Sequence, residues 1–193
     1  MKTLENLTKA FVGESQARNR YSIYASVAKK EGLLQVASVF LETAEQERQH
    51  AKRFFKMIQA LKEKEGLDTT GIDVPTTMMS TFDDTLTNLE TSIAGEHEEY
   101  SDLYPHFAQV AQDEGYPEFA ERIRAIMNAE VHHEERFKKL HEELKAGTLR
   151  KKEENIPWVF TECGYIHHGT TPPEECPSCD HPKEYYVVKC ETY

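Results

Sequence analysis

The chain has 193 residues, of which 38% are hydrophobic and 30% charged, and its formal net charge is −11 at pH 7. A carboxylate excess of this size argues against a nucleic-acid partner, because nucleic acids are themselves polyanions. No run of 18 apolar residues and no apolar leader is present, so we expect no membrane span and a cytoplasmic protein.

The composition changes sharply at Gly147. Residues 1–146 hold three prolines and no cysteine, whereas the remainder holds five prolines and all four cysteines. Gly147 and the charged residues after it are typical of a helix end followed by a linker. We therefore predict a helical domain over 1–146, a linker over 147–157 and a small domain over 158–193.

Four segments of the first part carry apolar residues at alternating steps of four and three. This spacing predicts long helices over 4–31, 33–64, 81–114 and 116–146. Gly32 and Gly115 permit tight turns within each helix pair, whereas the segment from Gly66 to Ser80 is a longer crossover. Pro105 is expected to kink the third helix. One long crossover is the connectivity of a ferritin-like four-helix bundle.

The two helix pairs are also sequence repeats of each other. The matches are Gly13-Glu14 with Gly95-Glu96 at an offset of 82 residues, Glu31-Gly32 with Glu114-Gly115 at 83, and Glu47-x-x-His50 with Glu130-x-x-His133 at 83. Such a duplication predicts a pseudo-two-fold bundle in which equivalent residues face one another across the axis.

Acidic residues interrupt the apolar stripe of every helix, and two stripes add a histidine three residues later. The set is Glu14, Glu47, His50, Glu96, Glu99, Glu130 and His133. Burying unpaired carboxylates costs several kcal/mol each, and Arg18 alone supplies too little charge for five glutamates. Two divalent metals would supply four positive charges, with glutamates bridging them and one histidine on each.

A lone Glu-x-x-His sequence is more often a solvated helix face than a metal site. Here both copies fall in an apolar stripe and at matching repeat positions, which favours a di-metal carboxylate site. Oxygen and nitrogen ligands suit iron or manganese, and zinc can also occupy them. We favour two iron ions, because a di-iron centre can pass two electrons to a peroxide bond. Tyr21, Tyr100 and Tyr104 are core residues or hydrogen-bond partners of the carboxylates.

The cysteines of the tail are arranged as two metal-binding knuckles. Cys163 begins a Cys-Gly-Tyr turn, and Cys176 and Cys179 form a Cys-x-x-Cys sequence. A tail this small cannot fold on an apolar core alone, so a bound iron or zinc ion would supply the missing stability.

Six motifs together match those of a known family. They are Gly13-Glu14-Ser15-Gln16-Ala17-Arg18-Asn19-Arg20-Tyr21, Glu47-Arg48-Gln49-His50-Ala51, Gly95-Glu96-His97-Glu98-Glu99-Tyr100, Glu130-Val131-His132-His133-Glu134, Cys163-Gly164-Tyr165-Ile166 and Cys176-Pro177-Ser178-Cys179-Asp180-His181-Pro182. In these motifs the chain resembles rubrerythrin over essentially its whole length. The resemblance implies a di-iron peroxidase that reduces hydrogen peroxide to water, with electrons entering through a C-terminal rubredoxin-like iron centre.

The resemblance also implies roles for individual residues. Five glutamates and one histidine match family metal ligands, namely Glu14, Glu47, Glu96, Glu99, Glu130 and His133. His50 and Glu99 match the pair that exchange at one iron between the reduced and oxidised states, and Tyr21 and Tyr104 match tyrosines that support the ligands. Family members pair head-to-tail, so that one subunit's rubredoxin-like centre serves the other's di-iron site. A reductase or a rubredoxin would be the electron donor.

The tail departs from the family at one position. The family pattern places a cysteine three residues before Cys163, and this chain has Phe160 there. Cys163, Cys176 and Cys179 remain as ligands, while Cys190 is spare and His167 and His168 are nearby nitrogen donors. A three-cysteine site, a recruited fourth ligand, a tail without metal and an engineered change all stay open.

Peroxide reduction against oxidative stress is the leading hypothesis, and two other functions compete with it. The first is ferrous-iron oxidation and storage, which needs a closed shell of many subunits that a tail with its own metal site fits poorly. The second is a non-enzymatic peroxide sensor, in which a metal-loaded bundle would signal to a partner.

Overall fold

The computed structural model describes residues 1–190 as a helical bundle followed by a small β-sheet. The helices are α1 (Lys2–Lys30), α2 (Leu34–Glu65), α3 (Thr85–Glu98), α4 (Tyr104–Asp113) and α5 (Pro117–Lys145), and a π-helical turn at Glu99–Leu103 joins α3 to α4. No helix of the described part is both long and apolar enough to cross a membrane. The last three residues of the predicted small domain, 191–193, lie outside the described residues.

The four predicted helices are confirmed, with one correction. The third predicted helix, 81–114, begins four residues later, because the Asp84 side chain accepts a hydrogen bond from the backbone N–H of Thr87 at 2.8 Å and caps α3. Its middle is a π-helical turn, and Pro105 lies just beyond that turn in the first turn of α4. A proline is tolerated in the first turn of a helix because the backbone N–H that it lacks would have no partner within the helix.

The bundle core consists of two apolar clusters, one towards each end of the helices. One contains Leu7, Phe54, Tyr104, Phe107 and Phe119, and the other contains Tyr21, Phe40, Leu89, Phe137 and Leu140. Helix α1 packs along α2, while α5 packs along α3 and α4. The segment 67–84, which contains no helix or strand, makes the long crossover between the pairs and confirms the ferritin-like connectivity.

Tight turns join the helices of each pair, as predicted. Gly32 has a φ of +73° and Gly115 a φ of +87°, a region that favours glycine because it has no Cβ. The glutamate before each glycine caps a helix of the other pair. Glu114 accepts hydrogen bonds from the backbone N–H groups of Lys2 and Thr3 at 3.0 and 2.8 Å, and Glu31 accepts from that of Thr85 at 3.2 Å. The repeated Glu-Gly sequence thus ties the two pairs together.

Replacing Glu114 by alanine is expected to lower the free energy of unfolding by about 1 kcal/mol, the usual effect of losing a helix cap. Burial raises the pKa of Glu114, but the amides of Thr3 and Lys2 outweigh it, so the pKa lies below 4.5. The stabilisation should therefore be complete above the unfolded-state pKa and disappear as the pH falls through the folded-state pKa. Urea unfolding of Glu114→Ala at neutral and at acidic pH measures the loss of stability and its pH dependence, and Glu121→Ala, at an exposed position, is the control. Equal losses at both pH values would contradict a role of the carboxylate charge.

The tail forms a three-stranded antiparallel sheet with the order β2-β1-β3. Its strands are β1 (Ile156–Phe160), β2 (Ile166–Gly169) and β3 (Tyr186–Val188). A small core under the sheet contains Trp158, Phe160, Cys176 and Tyr186, each at most 1% exposed. This core is too small to stabilise the tail by apolar burial alone.

Part of the predicted linker, 147–157, is packed on the bundle. Leu149 is buried in the second apolar cluster, and the Arg150 guanidinium donates to the carbonyl oxygens of Gly32 and Glu184. Strand β1 already begins at Ile156. The division of the chain into a bundle domain and a tail domain at these residues stays a prediction.

Candidate metal centre

Four glutamates lie side by side in the interior of the bundle, between the two apolar clusters. Glu14 on α1, Glu47 on α2, Glu96 on α3 and Glu130 on α5 are each at most 1% exposed. Each occupies a position of the helix face that otherwise carries apolar residues. Four carboxylates taken out of water at one place repel each other, and only compensating cations or protons allow such burial.

The ligand atoms converge on two overlapping groups. In each group, the donor atoms lie within 4.8 Å of one another: one contains Glu14, Glu47, His50 and Glu130, and the other contains Glu47, Glu96, Glu130 and His133. Glu47 and Glu130 belong to both groups, so each could serve as a ligand shared by two metal ions if both groups held one. The structure therefore brings six of the seven predicted ligands together, and Glu99 lies outside both groups.

Both histidines direct Nδ1 at the carboxylates. His50 Nδ1 lies 2.9 Å from Glu47 Oε2 and 3.0 Å from Glu130 Oε1, while His133 Nδ1 lies 2.8 Å from Glu130 Oε2. His133 Nε2 lies 3.0 Å from the amide oxygen of Gln46, which can only accept. The Nε2–H therefore donates to Gln46, and Nδ1 carries the lone pair that a metal needs. Gln46 has no sequence signal beyond its place directly before Glu47 and one turn before His50.

Several oxygen and nitrogen atoms of the cluster have no hydrogen-bond partner within residues 1–190. They are Glu14 Oε2, Glu47 Oε1, Glu96 Oε2, both carboxylate oxygens of Glu130, and His133 Nδ1. A buried polar atom without a partner costs about 1–3 kcal/mol, and more when it is charged. Oxygen and imidazole donors gathered in this way fit two divalent cations of the iron or manganese type.

The pKa values express the same excess of negative charge. Burial, followed by the charge of Glu130, raises the pKa of Glu14 well above its usual value, and burial with the charge of Glu47 raises that of Glu96 to about 8. Burial lowers the pKa of His50, but Glu130 and Glu47 outweigh it and raise it to about 9. Without metal, protons must therefore balance the cluster at neutral pH, and metal binding displaces them.

Two buried tyrosines support the carboxylates across the pseudo-two-fold axis. The Tyr21 hydroxyl on α1 donates to Glu96, and the Tyr104 hydroxyl on α4 donates to Glu14. Each tyrosine is 1% exposed. Each donates its hydrogen bond to the glutamate of the other repeat. Tyr100 instead contacts Glu134 at 3.1 Å and lies outside the two ligand groups.

Glu99 is the first residue of the π-helical turn and stands between the cluster and a cavity of about 440 Å³. Gly13, Arg20, Met79 and Tyr104 also line this cavity. Burial, followed by the charge of Glu96, raises the pKa of Glu99, whereas Arg20 acts in the opposite direction. Glu99 therefore borders both the cluster and an outer cavity.

Arg18, whose single charge is too little for five glutamates, is exposed and makes no ion pair with the cluster among the described residues. A shift of two residues turns a helix position through about 200°, and it is Arg20 that reaches the cavity next to Glu99.

A second cavity, of about 350 Å³, opens beside His50 and carries positive charge. Its lining includes Lys52, Arg53, Lys56 and Arg122. The His50 side chain remains 15% exposed, so this basic groove leads from the surface to one of the two ligand groups. The groove combines residues of α2 and α5, and the sequence alone did not point to it.

The tail brings three of its four cysteines together. The sulfur atoms of Cys163, Cys176 and Cys179 lie within 4.8 Å of one another, and Cys190 is exposed outside this cluster. Phe160 is fully buried beside them, with its ring centroid 4.7 Å from that of Tyr186. Three thiolates fit an iron or zinc ion, but the fourth sulfur of a tetrahedral four-cysteine site is missing. His167 and His168 lie on β2 and are not part of the cluster.

Comparison with known families gives matches to both parts of the chain. The family model described as rubrerythrin matches residues 5–141, and the one described as the rubredoxin-like domain of rubrerythrin matches residues 158–187. A protein named as a putative rubrerythrin of Methanocaldococcus jannaschii is 51% identical, over 99% of this chain and 94% of that protein.

Solved structures share the same architecture. The fully reduced, all-ferrous state of nigerythrin is 30% identical and has a TM-score of 0.64, over 97% of this chain and 86% of that chain. The bacterioferritin of Desulfovibrio desulfuricans, whose di-iron site was solved in different catalytic states, has a TM-score of 0.62 over 75% of this chain and 81% of that chain. Its identity of 21% supports the fold alone.

Proposed function

The chain belongs to the rubrerythrin family, and on this basis we propose that it is a non-haem di-iron peroxidase that reduces hydrogen peroxide to water. The observation that carries the proposal is the pair of overlapping carboxylate–histidine groups, buried except for the partly exposed His50, that share Glu47 and Glu130. When bound there, two ferrous ions supply the two electrons that break the O–O bond, and two protons complete two water molecules.

The cavity beside Glu99 offers peroxide a route to the centre. At about 440 Å³, this cavity has room for a molecule as small as hydrogen peroxide and several waters. The Glu99 carboxyl and the Tyr104 ring form its inner wall, and Arg20 adds a positive charge.

Electron transfer is proposed to occur between two copies of the chain paired head-to-tail. The tail between residues 158 and 190 carries five carboxylates and two lysines, whereas the groove beside His50 carries Lys52, Arg53, Lys56 and Arg122. Opposite charges favour docking of one copy's tail at the other copy's groove. A double charge reversal, Lys52→Glu with Lys56→Glu, should then weaken the dimer in size-exclusion chromatography, and raised salt should act in the same direction. An unchanged dimer in both would contradict this pairing.

His50 and Glu99 are expected to exchange at one iron when the redox state changes. In the structure, His50 belongs to one ligand group and Glu99 to neither, although Glu99 borders the site. Crystals of reduced and oxidised protein should therefore differ in the position of one iron, with His50 bound in one state and Glu99 in the other. An iron held by the same ligands in both states would count against the exchange.

Peroxide consumption tests the proposed reaction directly. Chemically reduced, iron-loaded protein mixed anaerobically with hydrogen peroxide should consume one peroxide for every two ferrous ions oxidised. Sustained turnover with a reductant would exclude a peroxide sensor, and elution as a small oligomer would exclude a storage cage. Ferrous protein that survives excess peroxide would refute the proposal.

A further inference from the structure

The hydroxyl of Tyr186 is a buried polar group without a hydrogen-bond partner. Tyr186 is 1% exposed, and its oxygen makes no hydrogen bond within the described part of the chain. Tyrosine hydroxyls that are buried usually find a partner, because an unsatisfied one costs about 1–3 kcal/mol. Within the described residues, the cysteine cluster thus lacks a fourth sulfur, and the same small core contains a phenol oxygen that makes no hydrogen bond.

The sheet places this tyrosine next to the missing ligand. Strands β1 and β3 are antiparallel, and Phe160 lies directly opposite Tyr186 in their register. Residues in this relation project from the same face of a sheet, and the two rings touch edge to face at 4.7 Å. Phe160 occupies the position at which the family pattern has its fourth cysteine. Tyr186 therefore stands beside the place where that sulfur would be.

The hydroxyl faces the remaining cysteines. The Tyr186 oxygen lies near enough to Cys176 for the two side chains to interact, although the pair does not meet the geometry of a hydrogen bond. The thiol of Cys176 shares the same small core and is fully buried. Near thiolates alone, a phenol keeps its proton; a cation among them would reverse that preference, because it favours the phenolate.

We propose that the phenolate oxygen of Tyr186 is the fourth donor of the tail metal site, which then holds ferric iron by three thiolates and one phenolate. Ferric iron accepts tyrosinate as a ligand in other proteins. Metal binding releases the phenol proton to solvent, with no change of redox state. The proposal concerns only the tail and is independent of the peroxidase activity.

Other donors of the described tail are less well placed. Cys190 is exposed and outside the cysteine cluster. His181 is also exposed, and its Nδ1 lies 2.8 Å from the carbonyl oxygen of Cys179, to which it can donate. His167 lies on β2, opposite Trp158. Among these groups, Tyr186 alone combines complete burial with an unsatisfied donor atom.

Resonance Raman spectroscopy of the full-length ferric protein tests the proposal. Excitation in the visible charge-transfer band should enhance phenolate ring vibrations in the unaltered protein, and Tyr186→Phe should abolish them. Tyr185→Phe is the matched control, because Tyr185 also packs on Phe160 but should leave the vibrations unchanged. Removal of the tail iron by a chelator should be on the order of tenfold faster in Tyr186→Phe, since a chelating ligand is lost.

Two results would overturn the proposal. The first is an absence of phenolate vibrations in the unaltered protein. If Tyr186→Phe then only shifts the sulfur-to-iron band, Tyr186 is a hydrogen-bond donor to Cys176 and not a metal ligand. The second is the persistence of phenolate vibrations in Tyr186→Phe. If Tyr186→Phe does not fold, Phe160→Cys provides the same test: the new thiolate should displace the phenolate and remove its vibrations, and their survival would contradict the proposal.

Discussion

Replacing Glu130 by alanine is expected to reduce the iron content of the bundle from two ions to one or none. Glu130 belongs to both ligand groups, and it lies within 3.0 Å of His50 and His133. Neither of its carboxylate oxygens has a hydrogen-bond partner among the residues that the structure describes. Under the proposed assignment, its loss would remove a shared ligand from both metal positions at once. Metal analysis of protein prepared in iron-replete cells measures the effect, and Glu47→Ala should behave in the same way.

Glu134→Gln is a matched control for Glu130→Ala. Glu134 lies one turn further along α5 and is 4% exposed, but it binds His97, Tyr100 and Lys138 instead of the cluster. The control should keep both irons. The metal-free form of Glu130→Ala should unfold no more easily than the metal-free unaltered protein, because one source of repulsion is gone. Full iron content in both Glu47→Ala and Glu130→Ala would refute the assigned centre.

Replacing Phe160 by cysteine is expected to raise peroxide turnover by about tenfold or more when electrons are supplied through the tail. An aromatic ring cannot donate to a metal, so the unaltered tail cannot form a four-sulfur centre. A centre with a different fourth ligand has another charge and another reduction potential. Phe160→Cys should therefore produce the visible spectrum of a four-sulfur iron site together with faster turnover.

Val159→Cys is the matched control for Phe160→Cys. Val159 is the preceding residue of β1, so its side chain projects from the other face of the sheet and adds a thiol away from the cluster. The direct reaction of chemically reduced protein with peroxide should be the same in all three proteins, because the bundle centre does not depend on the tail. A four-sulfur spectrum in the unaltered protein would refute the prediction and point to Cys190 as the replacement ligand.

Most of the bundle could be predicted because its helices are long and strongly periodic. A stripe over thirty residues, such as that of α2, determines both the helix and its buried face. The same periodicity revealed the buried carboxylates, since a glutamate is informative only where an apolar residue is expected. The start of α3 was predicted four residues too early, because the cap provided by Asp84 determines where the helix begins.

Features that depend on contacts between distant segments could not be predicted. The opposition of Phe160 and Tyr186 follows from the register of strands about 25 residues apart, which no local pattern contains. The basic groove combines Lys52 and Lys56 with Arg122 from another helix. Arg20 was missed because the cavity that it lines is closed by Met79 of the crossover, whose path has no periodicity.

The π-helical turn at Glu99–Leu103 accounts for a small irregularity in the repeat. Glu14 corresponds to Glu96 at an offset of 82 residues, but Tyr21 corresponds to Tyr104 at 83, so the second repeat has gained one residue between these points. A π-helical turn is how an α-helix accommodates one extra residue without breaking. The positions of the first repeat that align with Glu99 are Gln16 and Ala17, neither of which is a carboxylate. The extra residue of the π-helical turn and the carboxylate that begins it thus distinguish the second repeat from the first, so the two halves of the bundle present unlike residues to the cluster.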